Sequence, residues 1–157
     1  MNETTLNLIK ECTVRILVGQ NKSFGSGFFV APGLVLTCSH VIEDGQQSDT
    51  SVSIIVQWKK EQYKAQVVKA FPKPFPDIAL LGIESPISHP CAYLNSNINI
   101  GENLYIFGFS DEQPDGDSAM LTYEVQQLLF WKTKTRLCLK CNQARLGLVL
   151  VVRLYYV

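Results

Sequence analysis

The chain has 157 residues, 46% of them apolar, and its 14 Lys/Arg balance 14 Asp/Glu to a formal net charge of zero. That suits one packed domain or a small two-lobed one, and it excludes a wholly basic nucleic-acid binder or a disordered polyelectrolyte. The first residues carry neither a basic nor an apolar export stretch, and the longest apolar run, Leu148–Val152, cannot span a bilayer. A cytoplasmic location with five reduced cysteines is therefore the expectation, with no membrane partner.

The zero hides a split. Residues 1–124 carry 8 Lys/Arg against 14 acids, a net of −6, whereas residues 125–157 carry 6 Lys/Arg and no acid. The stretch after Glu124 also lacks serine and proline and has one glycine. So abrupt a change points to a basic binding tail or to sequence of different origin.

In chain order, Thr4–Glu11 reads as a short helix and Thr13–Val18 as a β-branched strand. Gln20–Phe24 is a polar loop. Two short apolar runs follow, Phe28–Ala31 and Leu34–Thr37, joined by Pro32-Gly33, which suits a type II turn. This hairpin presents His40 at its rim, and Val41–Asp44 makes one helical turn. After a surface loop at Gly45–Thr50, Val52–Trp58 and Tyr63–Ala70 are strands joined at Lys59-Lys60-Glu61. Pro72, Pro74 and Pro76 forbid helix in the next connection. Ile78–Ile83 is a strand expected to be buried on both faces. Ser85–Ser96 is a loop, Asn103–Phe109 a strand, Asp111–Asp117 an acidic loop and Ser118–Glu124 a further strand. Many short strands with little helix indicate an all-β barrel.

His40 and Asp77 carry the chemistry. Histidine exchanges a proton near neutral pH, and a carboxylate on one ring nitrogen fixes its tautomer and stabilises the imidazolium. The simpler reading is a histidine at a helix start and a carboxylate capping a strand.

The surrounding residues add weight to the pair. Gly25-Ser-Gly-Phe-Phe-Val-Ala-Pro-Gly-Leu-Val-Leu-Thr-Cys-Ser-His40 resembles the trypsin-like serine peptidases, whose first barrel runs from a GSGF-type strand to a T-A-A-H block. Asp77-Ile-Ala-Leu-Leu81 is similar to their D-I-A-L-L block. The likeness runs from about Thr13 to Glu124 and is closest in flavour to HtrA-like or cytoplasmic members. Cys38 stands where alanine is commoner. The resemblance implies a chymotrypsin-like double β-barrel, complete in its first barrel and partial in its second. It divides the chain into a segment 1–12, a first barrel 13–97, the start of a second barrel 98–124 and an aberrant tail 125–157. It also implies a polypeptide substrate, no cofactor and no metal, with His40 as general base and Asp77 as its orienting carboxylate.

The nucleophile is unknown. A G-x-S-G-G or G-x-S-G-A block is absent, and neither Ser110 nor Ser118 has the glycine-rich turn that exposes a nucleophile. Read one base earlier, codons for Gly147-Leu-Val-Leu-Val-Val-Arg-Leu-Tyr-Tyr156 can spell P-G-L-S-G-A-P-L-L, so an out-of-frame tail is the expectation. Without the serine the chain is an inactive protease-like fragment. From another class, it is a small β-barrel interaction module with a nucleic-acid-binding tail bearing Trp131, Tyr155 and Tyr156; the scattered charges disfavour nucleic acid. Cys138-Leu-Lys-Cys141 lacks further zinc ligands at matching spacing, and no glycine follows Cys141 to make it a nucleophile. Leu148–Val152 reads as an aggregation-prone β segment. His89, between Ser88 and Pro90, reads as a loop residue.

Overall fold

A computed structural model of the chain describes residues 3–19, 23–45, 52–71, 76–84, 88–94, 103–109 and 115–122. The tail 125–157 with Cys138 and Cys141, the loops at 46–50 and 72–75, and Ser110 lie outside the described residues. Among the described residues, two helices, α1 (Glu3–Cys12) and α2 (Ser39–Gly45), accompany eight strands. These are β1 (Thr13–Val18), β2 (Ser23–Ala31), β3 (Leu34–Thr37), β4 (Ile54–Trp58), β5 (Glu61–Phe71), β6 (Ile78–Ile83), β7 (Asn103–Gly108) and β8 (Asp117–Thr122).

Strands β1 to β6 close into an antiparallel barrel in the order β1-β2-β3-β6-β5-β4, and β7 and β8 form a separate hairpin. This is an all-β, chymotrypsin-like fold with one complete barrel and part of a second. Among the described residues no helix is long and apolar enough to cross a membrane.

Period-two patterning builds the barrel. Val14, Ile16 and Val18 of β1, Ile54, Val56 and Trp58 of β4, and Ala79, Leu81 and Ile83 of β6 all point into one core. The expectation that β6 is buried on both faces is therefore corrected. Ile78, Leu80 and Gly82 are only half-buried, because a closed sheet has one interior and the other face looks outward. The doubly buried strand is β2. Phe29 belongs to the barrel core, whereas its neighbour Phe28 packs with Cys12 and Ala92 in a second cluster outside it.

Strand β2 also starts earlier than its apolar run suggests. It pairs with β1 along its length, from Val18↔Ser23 to Thr13↔Phe28, so the ladder recruits serines and glycines of poor strand propensity. The glycine is needed at Gly27. A Cβ there would lie 2.8 Å from Ile16 Cδ1, 2.9 Å from Val35 Cγ1 and 2.9 Å from the Leu36 carbonyl oxygen. Gly27→Ala is expected to cost about 1–3 kcal/mol of stability by overpacking, read as a lowered urea midpoint. The turn between β2 and β3 has Gly33 at φ +71°, as the Pro-Gly pair predicts.

The remaining elements are tied on by a few side chains. Helix α1 buries Ile9 and Cys12, and the Trp58 indole N–H donates to the Glu11 carbonyl at 2.8 Å. The β7–β8 hairpin is held through Ser26. Its hydroxyl accepts the Phe109 N–H at 2.7 Å and donates to the Phe109 carbonyl at 3.2 Å.

Candidate active site

Strand register brings the two residues together. The β3–β6 ladder runs from Leu34↔Gly82 to Thr37↔Ala79. Continuing it by two residues sets Ser39 across from Asp77, with His40 one position further on. Thr37 anchors the end of β3 by donating its hydroxyl to the Ser26 carbonyl at 2.9 Å.

The chain then turns into α2, which is longer than the single turn expected and contains His40 itself. Ser39 begins the helix and donates its hydroxyl to Glu43 Oε1 at 2.7 Å, while Val41 and Ile42 are buried in the core. With the neighbouring side chains committed inward, the imidazole turns toward the strand end. Gly25 leaves the room for this packing, since a Cβ there would sit 2.6 Å from Val41 Cγ2.

Asp77 holds His40 at two points. Its Oδ1 accepts the His40 backbone N–H at 3.0 Å, and its Oδ2 lies 2.8 Å from His40 Nδ1. A carboxylate only accepts, so Nδ1 carries the proton and Nε2 is left with a lone pair. Each side chain is 24% exposed, enough for a reactant to approach and enough burial to hold the geometry. Asp77 adopts φ +52°, a left-handed conformation that Asp tolerates better than most residues.

Ser39 is buried and bonded to Glu43, and Ser26 is bonded to Phe109. Ser118 lies exposed on β8, where its backbone N–H donates to Asp117 Oδ1. A cavity of about 450 Å³ opens elsewhere, between α1, β1, β4 and the β7–β8 hairpin; Lys10, Arg15, Trp58 and Phe107 line it, and neither His40 nor Asp77 does.

Sequence reasoning missed the role of His89. It does lie in an irregular segment, but its ring stacks on Phe29 with centroids 3.6 Å apart and meets Trp58 edge-on at 5.9 Å. Its Nε2 accepts the Gly33 N–H at 3.2 Å. It is a packing residue that pins the β2–β3 turn, and no local pattern around Ser88-His89-Pro90 signals this.

Among the described residues Cys12 and Cys91 form no disulfide. Burial, aided by the neighbouring Cys91 sulfur and the Glu11 carboxylate, pushes the Cys12 thiol up from 9.0 to about 11, and burial raises Cys91 too. A raised thiol keeps its proton in the folded state after the unfolded chain has lost it. Its contribution to stability is thus complete below pH 9.0 and disappears as pH climbs to about 11. The urea midpoint is expected to fall across that window, and Cys12→Ala is expected to shrink the fall.

Residues 25–139 match the model of the trypsin-like peptidase domain. A comparison with curated proteins gives no match. Among solved structures, the fold is similar to the serine endoprotease from Yersinia pestis, with a TM-score of 0.62 and 21% identity. The likeness covers 76% of this chain and 42% of that one, so this chain spans well under half the endoprotease's length. With the family model covering most of the sequence, the chain belongs to the trypsin-like peptidase domain family.

Proposed function

We propose that this is a serine-type endopeptidase domain acting on polypeptides, in which His40 is the general base and Asp77 its orienting carboxylate. The observation that carries the reading is the double grip of Asp77 on His40, at 3.0 Å to the backbone N–H and 2.8 Å to Nδ1. A serine hydroxyl attacks the peptide carbonyl while His40 Nε2 takes its proton. Asp77 stabilises the resulting imidazolium, which returns the proton to the leaving amine. Backbone N–H groups of the serine and of the glycine two residues before it hold the developing oxyanion.

The serine belongs to the block that residues 147–156 replace, P-G-L-S-G-A-P-L-L in the neighbouring frame. The chain with its present tail then binds but does not cleave, and the division at 13–97, 98–124 and 125–157 follows the two barrels and the frame change. The free thiols of Cys12 and Cys91 support a cytoplasmic setting.

A fluorophosphonate probe tests the assignment. A frame-restored chain is expected to be labelled and the present chain is not. Labelling of the present chain would overturn the missing nucleophile, and a folded, frame-restored chain that stays unlabelled would overturn the peptidase reading.

A further inference from the structure

We propose that Cys38, His40 and Asp77 form a binding site for a thiophilic divalent cation of the zinc class. One ligand atom from each, a thiol sulfur, a ring nitrogen and a carboxylate oxygen, lie within 4.8 Å of one another. Zinc bonded tetrahedrally to S, N and O donors sets them about 3.3–3.6 Å apart, so the widest gap has to close by roughly one ångström. Closing it calls for side-chain rotation in which Asp77 exchanges a bond to His40 for one to the ion.

The three donors come from three places: the β3–α2 joint, the first turn of α2, and the residue before β6. The barrel register that pairs His40 with Asp77 therefore also brings in Cys38, two residues before His40. Cys38 is 6% exposed and packs with Val41 and Ile42, while His40 and Asp77 are each open to solvent by 24%. An ion enters from the side of the imidazole and carboxylate and meets the sulfur at the bottom. A mixed S, N, O set selects zinc-like cations over magnesium or calcium, and three protein ligands leave a fourth position for water. On binding, the Cys38 thiol releases its proton to solvent and coordinates as thiolate.

This has a consequence for the reading proposed above, on which it rests. If the ion takes Nδ1, the bond to Asp77 is lost. If it takes Nε2, the lone pair that would accept the serine proton is lost. Either way metal occupancy and general-base catalysis by His40 exclude each other, so the ion is a reversible inhibitor.

Cobalt(II) reports the site without any need for activity. The full chain carrying Cys138→Ala and Cys141→Ala, which removes the C-x-x-C pair, is expected to develop a thiolate-to-cobalt charge-transfer band at one equivalent. Zinc is expected to abolish it, and Cys38→Ala in the same background is expected to eliminate it. Absence of the band before Cys38 is changed, or its persistence afterwards, would overturn the proposal. Should Cys38→Ala fail to fold, Cys38→Ser keeps the size of the side chain and gives the same readout. In the frame-restored chain, zinc is expected to suppress fluorophosphonate labelling and a chelator to restore it. A cobalt band with no labelling under any condition would retain the metal site and remove the peptidase reading; labelling unaffected by zinc at saturating cobalt-site occupancy would overturn the inhibition.

Discussion

In a frame-restored chain, Asp77→Asn lowers the turnover of a peptide substrate by about 10⁴-fold near neutral pH, with the fold intact. Asn offers an oxygen where Oδ1 accepts the His40 N–H, and it tolerates φ +52° about as well as Asp does. Its amide nitrogen, placed where Oδ2 meets Nδ1, donates instead of accepting. The imidazole then moves its proton to Nε2, the atom that has to be a base. Steady-state kinetics and a urea titration on the same preparation check this. A rate loss matched by a comparable loss of stability would make Asp77 a structural capping residue. Asp77→Ala removes both bonds and leaves alanine in a left-handed conformation, so it is expected to lower stability as well, by about 1–3 kcal/mol.

Phe29→Ala is expected to remove about 3–5 kcal/mol of stability, which is a large share of the 5–15 kcal/mol typical of a whole domain. Phe29 is fully buried, meets Trp58 edge-on at 5.7 Å and stacks on His89 at 3.6 Å. Its carbonyl also accepts the Ala92 N–H at 2.7 Å. Removing the ring thus opens a cavity and leaves His89 without the surface that holds it over the Gly33 turn. Chemical denaturation measures the loss, and Phe29→Leu, which fills part of the space, is expected to lose less. The adjacent Phe28 lies in the cluster with Cys12 and Ala92, so its truncation loosens α1 rather than the barrel.

How much of this was legible depended on whether the signal was local. Strand β1 and strand β6 have the bounds their sequences suggest, because each is a mostly apolar run of six positions, but the one-sided burial of β6 was not legible, since its inward and outward residues are equally free of polar groups. The start of β2 was not legible, since Ser23, Gly25 and Ser26 become strand only through their ladder with β1. His40 and Asp77 could be named from motif order, but their 2.8 Å contact follows from the β3–β6 register, which neither segment carries alone. Helix α2 begins at Ser39 rather than after His40 because a hydroxyl–carboxylate bond four residues long holds its first turn. His89 is the loop residue its sequence suggests, but its packing role was hidden for a related reason: its partners Phe29, Gly33 and Trp58 lie far away in sequence.

Ser26 links more than its small size suggests. With Phe109 it imitates a single rung of antiparallel pairing, since one hydroxyl accepts the amide and donates to the carbonyl of the same residue. Its own carbonyl meanwhile receives the Thr37 hydroxyl, three residues before His40. The amide of Phe109 therefore works as a latch sensor. Its hydrogen exchange reports departure of the β7–β8 hairpin from the barrel, even while both keep their internal ladders. Ser26→Ala would speed that exchange while keeping the backbone carbonyl that receives the Thr37 hydroxyl, so the hairpin loosens and the strand end from which the imidazole is hung does not.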